Sequence, residues 1–236
     1  MENVKGMARE LLREVKSTVS LILVHSDRWR SIDSTTYNTN VENVREVVNL
    51  SDGKVRLVEI GEDEFNKVVE KIREKFPVRI FNEFPKPLTY VVDGNVYFYA
   101  SIVGSEITTF TTTIYQVGTG KVMRDVYDVY SEVSGKVDEL PTLDFIIYVT
   151  STCPYCPQVT MSFIQFSTIN PTKFRTHVVN AELIADELLE RGISSVPTVE
   201  ITCEGLDTRY KLFSGYYPTQ TIASIVKTVI EELTKK

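Results

Sequence analysis

Apolar and polar positions follow two rhythms along this chain, a helical one and a strand-like one, in alternation. From Met1 to about Ser17, residues Val4, Met7, Ala8, Leu11, Leu12 and Val15 share one face of a helix. Val19 to His25 is a short, nearly continuous apolar run, as a buried strand requires. Val41 to Val48 is again helical, with Thr39 and Glu42 spaced as a capping box. Val55 to Ile60 predicts a strand, and Asp63 to Lys75 a helix with Phe65, Val68, Val69 and Ile72 inward. Leu88 to Val92 and Val96 to Ala100 predict a hairpin around Asp93-Gly94-Asn95, and Ser105 is placed to cap a helix from Glu106 to Gln116.

The order then recurs. Lys121 to about Val137 predicts a helix, Phe145 to Thr150 a strand, and a further helix runs to about Ile169, where Asn170-Pro171 stops it. Phe174 to Val179 predicts a strand, and Glu182 to Arg191 a helix with Gly192 as its C-cap. Thr198 to Thr202 and Arg209 to Phe213 flank a turn at Glu204-Gly205, and Thr219 to Leu233 closes the chain as an amphipathic helix. Pro197 and Gly215 bracket the second hairpin 18 residues apart, and Pro87 and Gly104 bracket the first 17 apart. The pattern predicts an α/β protein made of two copies of one plan. The boundary is expected near Gly118 to Gly120, dividing residues 1–118 from 119–236, or near Ser134-Gly135 if the connecting helix is shared.

Composition narrows the chemistry. The net charge of −6 over 236 residues, with no basic run, argues against a nucleic-acid partner, which needs clustered Lys and Arg. No apolar stretch reaches the roughly 18 residues of a membrane span. Charges such as Arg9, Arg13 and Lys16 interrupt the N-terminal segment, so no secretory signal and a cytoplasmic location are expected. Only Cys153, Cys156 and Cys203 are cysteines, too few for a stapled secreted scaffold.

Cys153-Pro154-Tyr155-Cys156-Pro157 follows a predicted strand and opens a predicted helix. A helix start carries unsatisfied N–H groups and partial positive charge, so Cys153 there should ionise below the ~8.5 of a free cysteine. Pro154 and Pro157 are tolerated where first-turn N–H groups have no acceptor to lose. Cys153 would attack a disulfide and Cys156 would resolve the mixed disulfide. A zinc site would need two more ligands, and Cys203, His25 and His177 form no second paired motif, so neither metal nor cofactor is expected.

These residues, together with Val196-Pro197-Thr198 before a strand, Gly215 before the last helix and the repeat, resemble the thioredoxin superfamily. More narrowly, the chain resembles the archaeal protein disulfide oxidoreductases, also called glutaredoxin-like, which fuse two thioredoxin-fold units. The resemblance implies a central mixed sheet flanked by helices in each half. It implies a redox-active Cys153–Cys156 disulfide, with Pro154 and Tyr155 supporting the site and a cis Pro197 that turns the Val196 backbone toward a substrate peptide. Partners would be disulfide-containing or dithiol client proteins and a thioredoxin-reductase-like electron donor.

Three departures stand out. The buried acid that most thioredoxins carry six residues ahead of the first cysteine is replaced by Ile147, and Thr150, Ser151 and Thr152 offer no basic residue for glutathione. Residues 1–152 contain no cysteine; aligning Val24 with Val149 sets Arg28 opposite Cys153 and Ser31 opposite Cys156. The first half is then either a structural partner or a docking surface built on Trp29, Arg28 and Arg30. Cys203 reads as a buried core residue, and His177 as an exposed or half-packed strand residue. The function expected is protein dithiol–disulfide exchange. The alternatives are a peptide-binding chaperone or adaptor with incidental thiols, or a metal or iron–sulfur carrier.

Overall fold

The computed structural model describes residues 2–71, 88–99, 102–203 and 208–235. The end of the predicted helix to Lys75 with Ile72, Pro87, Ala100 and the turn at Glu204-Gly205 lie outside the described residues, as do the side chains of Val4, Val68 and Val69. The first half comprises α1 (Glu2–Arg13), β1 (Val19–His25), α2 (Asp27–Ile32), α3 (Ser34–Leu50), β2 (Val55–Gly61), α4 (Glu62–Lys71), β3 (Leu88–Val91), β4 (Val96–Tyr99) and α5 (Ser105–Thr119). The second comprises α6 (Arg124–Glu139), β5 (Leu143–Val149), α7 (Cys156–Ile169), β6 (Phe174–Asn180), α8 (Ala185–Glu190), β7 (Thr198–Cys203), β8 (Tyr210–Ser214) and α9 (Thr219–Leu233). Among the described residues no helix is long and apolar enough to cross a membrane.

Most elements fall where periodicity places them; the differences have local causes. Helix α3 begins at Ser34, well ahead of Val41, because the Asp33 carboxylate accepts the Thr36 N–H at 2.9 Å and forms the N-cap. Tyr37 and Asn40 extend its buried face backwards, and the expected Thr39–Glu42 box lies inside the helix. Met7 is exposed, whereas Ala8, Leu12 and Val15 are buried. Helix α5 is capped by Gly104 rather than Ser105, whose hydroxyl is used elsewhere. Helix α8 is preceded by a 3-10 turn at Ala181–Ile184, and Gly192 stands one residue beyond its C-cap, Arg191.

Among the described residues, eight strands form one sheet in the order β2-β1-β3-β4-β6-β5-β7-β8. In the first half β1 pairs parallel with β2 and antiparallel with β3, which pairs antiparallel with β4. The second half repeats this with β5, β6, β7 and β8. The copies join edge to edge, because β4 pairs parallel with β6 from Val96↔Thr176 to Tyr99↔Val179. Neither strand remains an open edge.

One face of the sheet packs under α1, α3, α5, α6, α7 and α9, and the main apolar core lies there with Cys153 and Cys156. The other face carries a second cluster around Phe65, Tyr97, Tyr148 and Leu188. His177 corrects the sequence reading: it is fully buried, because β4 covers what would have been the edge of β6. Its ring bonds Asp144 at 2.8 Å and Tyr99 at 3.3 Å and stacks on Tyr97 at 4.8 Å. Burial alone would push the Asp144 carboxyl up, but His177 and the bidentate Arg175 guanidinium hold it below the usual range. Burial likewise lowers the His177 pKa, against the pull of Asp144.

Candidate active site

β5 delivers the chain to the cysteines. It is buried along its length, ends at Val149, and releases the loop 150–155 ahead of α7. Cys153 and Cys156 are joined in a disulfide, with Cα atoms 5.5 Å apart. Cys153 lies in the loop rather than in the helix, and Cys156 is the first helical residue. The Cys156 N–H donates to Cys153 Sγ at 3.1 Å, so a helix-start donor points at that sulfur. Such a donor favours a thiolate. Cys153 is 8% exposed and Cys156 fully buried, which makes Cys153 the outer sulfur. Pro157, in the first turn, withholds no needed N–H.

Tyr155 is 53% exposed, and its ring lies 5.4 Å from that of Tyr216. The Val196–Pro197 peptide bond is cis. Val196 packs against the apolar cluster that contains both cysteines. The Gly215 N–H donates to the Pro197 carbonyl at 2.8 Å, which brings the two distant landmarks together. Thr198 fixes the turn by donating to the Ser195 carbonyl at 2.6 Å and bonding Ser214 at 2.7 Å.

The cysteine-free half also reaches the site. At the start of α5, the N–H and hydroxyl of Ser105 both donate to the Ser151 carbonyl, at 3.3 and 3.0 Å. Ser151 is two residues ahead of Cys153. Gly104 permits the approach: its φ is +55°, and a Cβ there would lie 2.7 Å from the Ser151 oxygen. Helix α5 then packs along α7. The next residue, Glu106, is 2% exposed, and neither carboxylate oxygen has a hydrogen-bond partner among the described residues. Burial pushes its pKa up to about 7, against the opposing pull of the neighbouring Ser105 hydroxyl, which also donates to Ser151. Ile147, the strand position at which the sequence pattern leads one to look for an acid, is apolar and buried in β5. The available signal was Glu106 itself, the lone charge in Ser105–Thr119.

At the corresponding end of β1 the chain has built packing instead of chemistry. Ser26 caps α2 by accepting the Trp29 N–H at 3.3 Å, and Trp29 is buried in the main core. That removes Trp29 from any docking surface and leaves Arg28 and Ser31 exposed. His25 bridges Tyr37 at 2.6 Å and Glu59 at 2.7 Å. The Arg45 guanidinium, bound to Glu59 through two hydrogen bonds, holds that carboxyl down at about 2. Cys203 is buried on β7, at the far end of the strand from Thr198. Cys203→Ala should therefore keep full disulfide-exchange activity and lose about 1 kcal/mol of stability in denaturant titration; loss of activity in a folded variant would place Cys203 in the redox path.

No protein-family model and no curated protein matches the sequence. Solved structures do match. The alkylhydroperoxide reductase AhpF from Enterococcus faecalis superposes with a TM-score of 0.72 at 19% identity, covering 95% of this chain and 97% of that one. A protein disulfide oxidoreductase from Aeropyrum pernix superposes with a TM-score of 0.71 at 16% identity, covering 98% and 94%. The fold is a tandem thioredoxin fold. In both cases the agreement extends over nearly the whole chain, across both halves. At such identities the likeness establishes architecture, and the chemistry rests on this chain's own residues.

Proposed function

We propose that this protein is a dithiol–disulfide oxidoreductase that cycles Cys153 and Cys156 between dithiol and disulfide. The observation that carries the reading is the Cys153–Cys156 bridge at a helix start, with the outer sulfur accepting the Cys156 N–H. In the reducing direction the Cys153 thiolate attacks a client disulfide. One client sulfur leaves as a thiolate and the other joins Cys153. Cys156 then loses its proton and attacks Cys153 Sγ, which releases the second client thiolate and closes the bridge. Two electrons pass to the client, and a thioredoxin-reductase-like donor would return them. Pro154 and Tyr155 frame the outer sulfur, and the Val196 backbone beside cis Pro197 would receive the client chain. Residues 1–118 and 119–236 are read as the two units, supported by the matching strand order in each. The test is reduction of insulin disulfides by the full chain, with Cys153→Ser as control. Equal turnover by the two proteins would overturn the reading.

The proton that leaves Cys156 needs an acceptor, and we assign it to Glu106. The support is its burial, its unpartnered oxygens, its pKa of about 7 and its place in the turn that holds Ser151. A group titrating near the working pH can both take and return a proton. Glu106→Gln should slow resolution of the mixed disulfide roughly tenfold or more and remove the inflection near pH 7 from the rate profile. Stability gives a second readout. The native carboxyl holds its proton more tightly than the ordinary carboxyl at 4.5, so stability falls as pH rises from about 4.5 to about 7. The span is on the order of 3 kcal/mol, and Glu106→Gln should flatten it. A variant that keeps both the inflection and the slope would remove Glu106 from the proton path.

A further inference from the structure

A groove with a volume of about 290 Å³ opens beside the dithiol. Pro157, Gln158 and Met161 of α7 line it together with Tyr216, Gln116 and Met123. It is continuous with the reactive end, because Pro157 follows Cys156 and the Tyr216 ring lies 5.4 Å from Tyr155. Both halves build it: Gln116 belongs to α5, and Met123 lies in the connection to α6. Met123 is held there by its N–H, which donates to the Gln165 side chain. Although the chain carries a net charge of −6, every described side chain lining the groove is uncharged.

We propose that this groove selects clients by receiving a bulky apolar side chain next to the reacting cysteine of a polypeptide. The proposal rests on the dithiol-exchange reading and names its substrate class. The volume is at the small end for ligand pockets, which run roughly 300–1,000 Å³, and suits one large side chain. The surfaces are of the adaptable kind. Met123 and Met161 offer flexible thioethers, and exposed Tyr216 and Tyr217 offer flat amphipathic rings at small entropic cost. Gln158, which is exposed, can bond the peptide backbone without demanding a charge. Glutathione fits poorly, because none of the described lining residues is a cation that could meet its carboxylates.

The test uses reduced full-length protein and a set of synthetic peptides. Each holds one cysteine as a mixed disulfide with thionitrobenzoate, flanked by leucine, serine, glutamate or lysine, and release of the coloured thiol gives the rate. The leucine peptide should react about tenfold or more faster than the serine and glutamate peptides. Gln158→Glu puts a charge into the groove at an exposed helix position. It should erase most of the leucine preference and create a preference for the lysine peptide, a gain that a misfolded protein cannot produce. Equal wild-type rates for leucine and serine peptides, or an unchanged ranking in Gln158→Glu, would overturn the groove assignment while leaving dithiol exchange standing. A glutathione mixed disulfide that outpaces every peptide would overturn it too. If no peptide reacts, the dithiol-exchange reading itself falls, and the groove with it.

Discussion

Cys156→Ser should accumulate covalent adducts with client proteins, whereas Cys153→Ser should accumulate few or none. The asymmetry follows from burial and from one hydrogen bond. Cys153 is the outer sulfur at 8% exposure, and the Cys156 N–H points at it; Cys156 is fully buried beneath. An attacking thiolate needs both access and stabilised charge, and only Cys153 has them. Serine at 153 cannot form a sulfur–sulfur bond, so turnover should drop roughly 10³-fold or more. Serine at 156 permits the first attack and blocks the second, which leaves the mixed disulfide to be isolated on a non-reducing gel. Alkylation of the reduced protein gives an independent check. Cys153 should react much faster than Cys156, and equal rates would reverse or void the assignment.

A fragment of residues 121–236 should hold together as a unit but self-associate and lose stability. Its strands and helices form a complete copy of the repeated plan, and both cysteines and Pro197 are present. What it loses is cover. β6 would be bared where Val96 to Tyr99 pair with Thr176 to Val179, leaving a row of unpaired backbone groups. The Tyr97 and Tyr99 rings would be stripped from buried His177, and the Asn95 amide from the Pro171 carbonyl. The face of α7 that α5 covers would also be exposed, at about 25 cal/mol per Å² of apolar surface. The Ser105 clamp on Ser151 and the Glu106 carboxyl would go too. Small disulfides should still be reduced, but resolution should be slower and its pH dependence altered. Light scattering and denaturant midpoints would show it; a monodisperse fragment as stable as the full chain would refute a supporting role for the first half.

Much of this molecule is local and therefore legible in its sequence. The order of helices and strands, the dithiol at a strand-to-helix junction, the placing of Pro197 and Gly215 on either side of a hairpin and the duplication all follow from short-range periodicity and turn chemistry. So does the closing helix, whose predicted bounds, Thr219 to Leu233, are those observed. The misses involve contacts that no local pattern encodes. His177 looked exposed because nothing near it in sequence says that β4, some 80 residues away, will cover its strand. Glu106 starts a predicted helix, where an acid is favoured in any case, so nothing local marks it as buried. Burial pushes its pKa up to about 7 in the tertiary structure, at the end of α5 that Gly104 lets close against the loop before Cys153. Trp29 could have faced either way until the capped turn at Ser26 drove it into the core. The two units and the reactive pair are thus written in neighbouring residues. The role of the cysteine-free unit is written nowhere locally, because burial, edge pairing and desolvation depend on which distant surfaces meet.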